Sequence, residues 1–273
     1  MKTAVITTVR GREDHLRRQI QGLAQSTQRP DSHIVVALGD RHVAEVLAEE
    51  DPSAVLVELD VTEPIPIARG RNVGAATALS ESAELLVFLD VDCIPEAGLI
   101  GRYQDAATRP EHEDALLCGP VTYLDPPGPH GYAISELRRN PHPARPAPPD
   151  RDVLSTTDYA LFWSLSFAVT AGTWKKIGGF CERYRGYGGE DTDFAQSAAK
   201  RRVPMRWVGG AHAFHQFHLT ADPPVQHLDD ILRNAPIFHE RWGWWPMPGW
   251  LAAFEADGLV ARDADGRPRR IPQ

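Results

Sequence analysis

Leu85-Leu86-Val87-Phe88-Leu89-Asp90-Val91-Asp92 runs five apolar residues into two carboxylates one residue apart. An unbroken apolar run fits a strand buried on both faces, as in a parallel sheet covered by helices. Ligands of such sheets gather beyond the carboxyl ends of the strands, where Asp90 and Asp92 fall. Upstream, 3–8, 33–38 and 55–59 read as strands. Between them, 13–24 sets Leu16, Ile20, Leu23 and Ala24 on one helical face. Val43, Val46 and Leu47 mark a second amphipathic helix, and 67–80 is alanine-rich and helical. Strand and helix alternating in this way predict an α/β fold with a mostly parallel central sheet flanked by helices.

The pattern changes after about residue 110. The stretch 125–152 is rich in proline and predicts a long mobile loop over the site rather than a regular element. Further on, 162–170 and 206–208 read as strands, and 191–201 and 228–242 as helices. Cys93-Ile94-Pro95-Glu96 reads as a helix start, since proline suits a first helical turn. The polar tail 262–273, with Pro268 and Pro272, is expected to be poorly ordered.

A chain of 273 residues can bury a full core, as one large α/β domain or two small ones. Its net charge of −8 argues against a nucleic-acid partner held by a general basic field. Cys93, Cys118 and Cys181 form no C-x-x-C pair, which fits a reducing, cytoplasmic setting. The apolar run after Met1 is cut off by Arg10 and Arg12, too soon for a signal peptide. No stretch has the apolar length of a membrane span.

A second acidic cluster follows two glycines in Gly186-Tyr187-Gly188-Gly189-Glu190-Asp191-Thr192-Asp193. Carboxylates at a helix start gain from the dipole and the free N–H groups. A carboxylate there is also a candidate general base for a sugar hydroxyl, with its neighbour orienting the acceptor. Simple capping accounts for one or two of these acids, though not for Gly188-Gly189 among Tyr184, Tyr187 and Phe194. Trp163 and Tyr187 are candidates for an apolar platform under a sugar ring, with core packing as the alternative. Asp90 and Asp92 suit a hard divalent ion that keeps positions open for phosphate oxygens, and a plain polar loop is the alternative. Of His212, His215 and His218, an extended segment sends His215 one way and the other two the opposite way. One histidine joining the aspartates on a shared metal is therefore favoured over a three-histidine zinc site. Arg69, Arg71 and Asn72 open the alanine-rich helix and offer bidentate donors to a diphosphate. No dinucleotide fingerprint and no P-loop is present.

In this order the motifs resemble the GT-A fold glycosyltransferases, in particular the family 2-like enzymes and the galactosyltransferase C-terminal module. The resemblance runs from Thr7-Thr8-Val9 through Arg69-Gly70-Arg71-Asn72-Val73-Gly74 and Asp90-Val91-Asp92 to the Gly186–Asp193 region and Ala213-Phe214-His215-Gln216. It implies a single GT-A domain, with a nucleotide-sugar-binding half in 1–110 and an acceptor-binding, catalytic half in 111–261. By position, Asp90 and Asp92 match the D-x-D that holds Mn²⁺ or Mg²⁺, and His215 the late histidine of the metal site, with His212 as second choice. Asp191 matches the base of inverting members. Glu190 matches the acceptor-binding acid, beside Gly188, Gly189, Tyr187 and Trp163. Thr8, Val9 and Arg10 match the end of the first strand, where the nucleotide base packs. Asp40 is similar to the acid after the second strand, although the family often has two acids there. Arg69, Arg71, Asn72, Asp90 and Val91 complete the donor side. The implied reaction is inverting, metal-dependent transfer of a hexose or N-acetylhexosamine from a nucleotide sugar, UDP favoured, to a sugar, glycan or small-molecule acceptor. Two other readings remain: a metal-dependent hydrolase or nucleotidyltransferase acting on a nucleotide sugar, and a non-catalytic sugar-binding module. The aromatic run 242–250 fits core packing, a cover over the acceptor site or a contact between subunits.

Overall fold

A computed structural model describes residues 1–129 and 131–272. The first half winds as β1 (Thr3–Val9), α1 (Glu13–Ala24), β2 (Ser32–Leu38), α2 (His42–Glu50), β3 (Val55–Leu59), α3 (Ile67–Ser80) and β4 (Leu85–Leu89). Then follow β5 (Cys93–Pro95), α4 (Leu99–Ala107), β6 (Leu116–Cys118), β7 (Val121–Tyr123), β8 (Val153–Thr156), β9 (Ser166–Thr170) and α5 (Ala171–Ile177). The chain closes with α6 (Glu190–Lys200), β10 (Met205–Val208), β11 (Ala213–His215), α7 (Leu228–Trp242), α8 (Pro248–Ala256), β12 (Val260–Arg262) and β13 (Pro268–Arg270).

Eight strands form the main sheet in the order β3-β2-β1-β4-β9-β6-β10-β8. β1 to β4 are mutually parallel, as the apolar runs predict, whereas β9 runs antiparallel to both β4 and β6. The strand order reverses at β1, so a crevice opens beyond the ends of β1 and β4. All five residues of β4 are buried, with helices on each face of the sheet. α3 lies so close to the sheet that a Cβ on Gly74 would come within 2.5 Å of Ile6 Cγ2. A glycine is therefore required there.

A three-stranded sheet, β5-β11-β7, sits beyond the end of β4. The expected helix start at Cys93 is thus a strand. Its pairing with β11 sets Cys93 opposite His215 and Pro95 opposite Ala213, and the N–H that proline lacks falls at the strand end. The expected strand over 162–170 begins only at Ser166. Before it, a 3₁₀ turn, Tyr159–Leu161, is capped by Asp158, and Leu165 O accepts from Asp90 N at 3.0 Å.

The proline-rich stretch is tied down at several points. Asn140 N donates to Thr122 Oγ1 at 2.8 Å, and Arg139 pairs with Glu96 and Asp150. Arg145 is buried between the Trp163 and Trp207 rings, 5.1 and 4.7 Å from their centroids. The tail departs from the expected irregular structure. β12 and β13 pair as a hairpin, and Arg270 donates to Asp229 of α7 at 2.6 Å. Among the described residues no helix is long and apolar enough to cross a membrane.

Candidate active site

A cavity of about 330 Å³ opens where the N-termini of α3 and α6 meet the end of β4. Arg71 comes from the first turns of α3, Asp90 from the residue after β4, and Glu190 and Asp191 from the start of α6. Arg71 is buried and bridges the two acidic clusters. Its Nη2 donates to Asp90 Oδ1 at 2.9 Å and its Nη1 to Glu190 Oε1 at 3.1 Å. Burial opposes the guanidinium charge, yet Asp90 and Glu190 more than offset it, so the Arg71 pKa is raised. Burial also pushes the Asp90 pKa up, against the pull of Arg71.

Asp191 follows Glu190 in the first turn of α6. Burial, then repulsion from Glu190, pushes its pKa up to about 7, while hydrogen bonds from Thr192 act the other way. Those bonds, from Thr192 N at 2.6 Å and Thr192 Oγ1 at 3.3 Å, both reach Oδ1. The loop before α6 needs its glycines. Gly188 and Gly189 have φ of +96° and +94°, a region that costs other residues strain. α7 fixes this loop: buried Asn234 donates to the carbonyls of Arg185, Tyr187 and Gly188, and Asp230 accepts from Tyr187 N. Trp163 and Tyr187 line the cavity, joined by Tyr123 and, from the aromatic run after α7, by Met247 and Trp250.

The candidate metal ligands form a separate group beside this cavity. One donor atom each from Asp92, His215 and His218 lies within 4.8 Å of the others. The Nε2 atoms of His215 and His218 are 3.5 and 3.6 Å from Asp92 Oδ2. Strict alternation separates His215 from His218, but β11 ends at His215 and the chain leaves the strand there. The two rings then come to 5.2 Å centroid separation. The expected partner Asp90 instead gives its carboxylate to Arg71. His212, the second choice, faces away, with Nε2 2.8 Å from Thr122 Oγ1 and its pKa lowered to about 4, chiefly by burial. Burial, then Arg12, also lowers the His218 pKa, in the direction of the neutral imidazole that metal ligation requires. One carboxylate and two imidazoles suit a borderline divalent ion with open positions. Tyr123 stacks on His215 at 4.5 Å and so joins this group to the cavity.

The turn that carries Asp90 and Asp92 is clamped from below. Cys93 N donates to Asp90 O, and buried Gln19 donates through Nε2 to Asp90 O at 2.7 Å and Cys93 O at 3.1 Å. Thr7 Oγ1 donates to Gln19 Oε1 and lies 3.3 Å from His33 Nε2, whose ring meets Asp51. No local pattern marks Gln19, because its partners are main-chain atoms 71 and 74 residues away.

The remaining expected donor residues sit apart from the cavity. Asp40 Oδ2 accepts from Gly11 N at 2.7 Å, and Asp40 borders an open cleft at the ends of β2 and β3. Arg10 pairs with Glu63 at 2.9 Å and caps Leu38 O, beside half-buried Thr8. Val9 and Val91 are buried together in the core under α1 and α2. Arg69 is exposed. Asn72 holds the Gly179-Phe180 turn, donating to Phe180 O and accepting from Phe180 N.

A protein-family model described as the N-terminal domain of galactosyltransferase matches residues 155–219, which include Gly188–Asp191 and both histidines of the metal-like group. The chain is 26% identical over 226 residues to validoxylamine A glucosyltransferase of Streptomyces hygroscopicus subsp. limoneus, covering 74% of this chain and 49% of the relative. It thus spans about half the length of that curated relative. Among solved structures, S. aureus TarS 1-349 in complex with UDP aligns with a TM-score of 0.60 at 13% identity, over 86% of this chain and 64% of that one. GalNAc-T7 with UDP, GalNAc and Mn²⁺ aligns with a TM-score of 0.57 at 12% identity, over 80% of this chain and 43% of that one. The chain has the GT-A fold of the glycosyltransferases, and its residues 155–219 match the galactosyltransferase model.

Proposed function

We propose that the chain transfers a hexosyl or N-acetylhexosaminyl group from a nucleoside-diphosphate sugar, UDP favoured, to an acceptor hydroxyl with inversion at the anomeric carbon. One observation carries this reading: Arg71 ties Asp90, on the donor side, to Glu190, on the acceptor side, with Asp191 beside it in one aromatic-walled cavity. UDP in TarS and in GalNAc-T7 supports the nucleotide. In this reading, residues 1–110 serve the donor and 111–261 the acceptor, and 125–152 covers the site.

The acceptor hydroxyl lies against Asp191, which takes its proton as the oxygen attacks. The new bond forms from that oxygen to the anomeric carbon. The bond from that carbon to the diphosphate oxygen breaks, and its electron pair leaves with the diphosphate. A carboxylate base near neutral pKa is matched to this task. Glu190, held by Arg71, orients the acceptor, and Trp163, Tyr187 and Trp250 exclude water around it. Asp92, His215 and His218 would hold a divalent ion, with Asp90 bracing the turn, and such an ion offsets charge on a leaving diphosphate.

Thermal unfolding with UDP and UDP-sugars, with and without Mn²⁺, tests the donor side, since a ligand of the native state raises the melting temperature. A shift that needs both UDP and Mn²⁺ supports the reading. Absence of any nucleotide shift removes it. A chain that hydrolyses the UDP-sugar and never transfers to an acceptor belongs to the hydrolase class instead.

A further inference from the structure

The acceptor cavity carries more negative charge than proton abstraction requires. Its charged lining is Asp90, Glu190 and Asp191 against Arg71 alone. Both terminal nitrogens of Arg71 are already engaged, one by Asp90 and one by Glu190. Glu190 is 8% exposed, and its second oxygen, Oε2, is buried without a hydrogen-bond partner among the described residues. A buried carboxylate oxygen left unpaired is costly, and Glu190 is part of the cavity lining. Asp191, beside it, has its pKa raised by burial and then by Glu190. The rest of the wall is aromatic: Tyr123, Trp163, Tyr187 and Trp250. Rings beside carboxylates that outnumber the cations form the environment that favours an organic cation.

We infer that the acceptor is a polyol ring carrying a protonated amine close to the reacting hydroxyl, as in an amino sugar or an aminocyclitol. The ammonium donates to Glu190 Oε2 and lies among the aromatic rings, while the hydroxyl faces Asp191. A neutral sugar satisfies Glu190 with a weaker, uncharged donor. A uronic acid or sugar phosphate brings like charge to three carboxylates and is rejected. This inference rests on reading the cavity as the acceptor side of a transferase.

The test is binding of glucosamine, glucose and glucuronic acid to the full chain, followed by ligand-observed NMR in the presence of UDP and Mn²⁺. Glucosamine is expected to bind about tenfold more tightly than glucose, with glucuronic acid weakest. Raised salt and the Glu190→Gln variant should each shrink that preference. Asp191→Asn, at a half-buried position, gives the same test should Glu190→Gln fail to fold. Glucose bound as tightly as glucosamine, or none of the three bound, overturns the inference. UDP binding is measured on the same samples. A chain that binds UDP yet shows no charge preference loses this inference and keeps the transferase reading. A chain that ignores UDP loses that reading instead.

Discussion

Arg71 and Glu190 stand 119 residues apart in sequence, and a hydrogen bond of 3.1 Å joins them inside the protein. The same guanidinium reaches Asp90, so one buried cation holds the two acidic clusters in register. The energetic asymmetry of buried ion pairs makes this contact testable.

Arg71→Ala leaves Asp90 and Glu190 facing each other without a cation. The expected loss is about 3–5 kcal/mol of stability, read as a lower urea midpoint. Arg71→Lys keeps a charge but loses the fork that serves both carboxylates. It should fold, with kcat/KM reduced at least about tenfold.

In the proposed mechanism Asp191 sets the pH profile. Its pKa near 7 predicts that kcat/KM rises with pH and levels off above neutrality, because only the ionised carboxylate takes a proton. Asp191→Asn should lower kcat by about 10²–10⁴ and leave the UDP-induced thermal shift in place. Near-native turnover in that variant would end the base assignment.

The same shift bears on stability. The folded pKa of Asp191 lies above the ordinary carboxylate value, so between about pH 4 and 7 the folded state holds more protons than the unfolded one. Its effect is therefore to lower stability as pH rises through that window. The melting temperature of Asp191→Asn relative to the parent should be higher at pH 8 than at pH 4. Equal differences at the two pH values would contradict the raised pKa.

For the metal-like group, Asp92→Asn, His215→Ala and His218→Ala should each weaken the Mn²⁺-dependent part of the UDP shift. His212→Ala should spare it, since that ring pairs with Thr122. Loss at His212 with retention at His218 would reverse the ligand assignment.

Gln19→Leu removes two donors beneath the turn that carries Asp90 and Asp92. The expected cost is about 1–3 kcal/mol for the stranded carbonyls, with Mn²⁺ affinity lowered although no ligand has changed. Unaltered affinity would show that the turn holds its shape without Gln19.

The parallel half of the sheet was legible because its signals are local. Apolar runs such as 85–89 and the 3.6-residue spacing of Leu16, Ile20 and Leu23 need no partner to be recognised. Glycines at positive φ likewise marked the turn before Glu190. What escaped depends on distant pairing. β5 and β11 are three residues each and exist through one another. That pairing turned Cys93–Pro95 from an expected helix start into a strand. The alternation rule separated His215 from His218, and it fails where the strand ends after His215. Trp250 and Met247 reach the cavity through the packing of α8, which the aromatic run alone left open.

The pairing of β5 with β11 has a consequence for assembly. It sets Asp92, from the first half of the chain, against His215 and His218, from the second. An ion held by all three reports on whether the halves have docked. Any substitution that loosens their junction, however remote from the chemistry, should register first as weaker Mn²⁺ retention, before melting temperature or circular dichroism changes. The ion would then act as a gauge of closure between the halves.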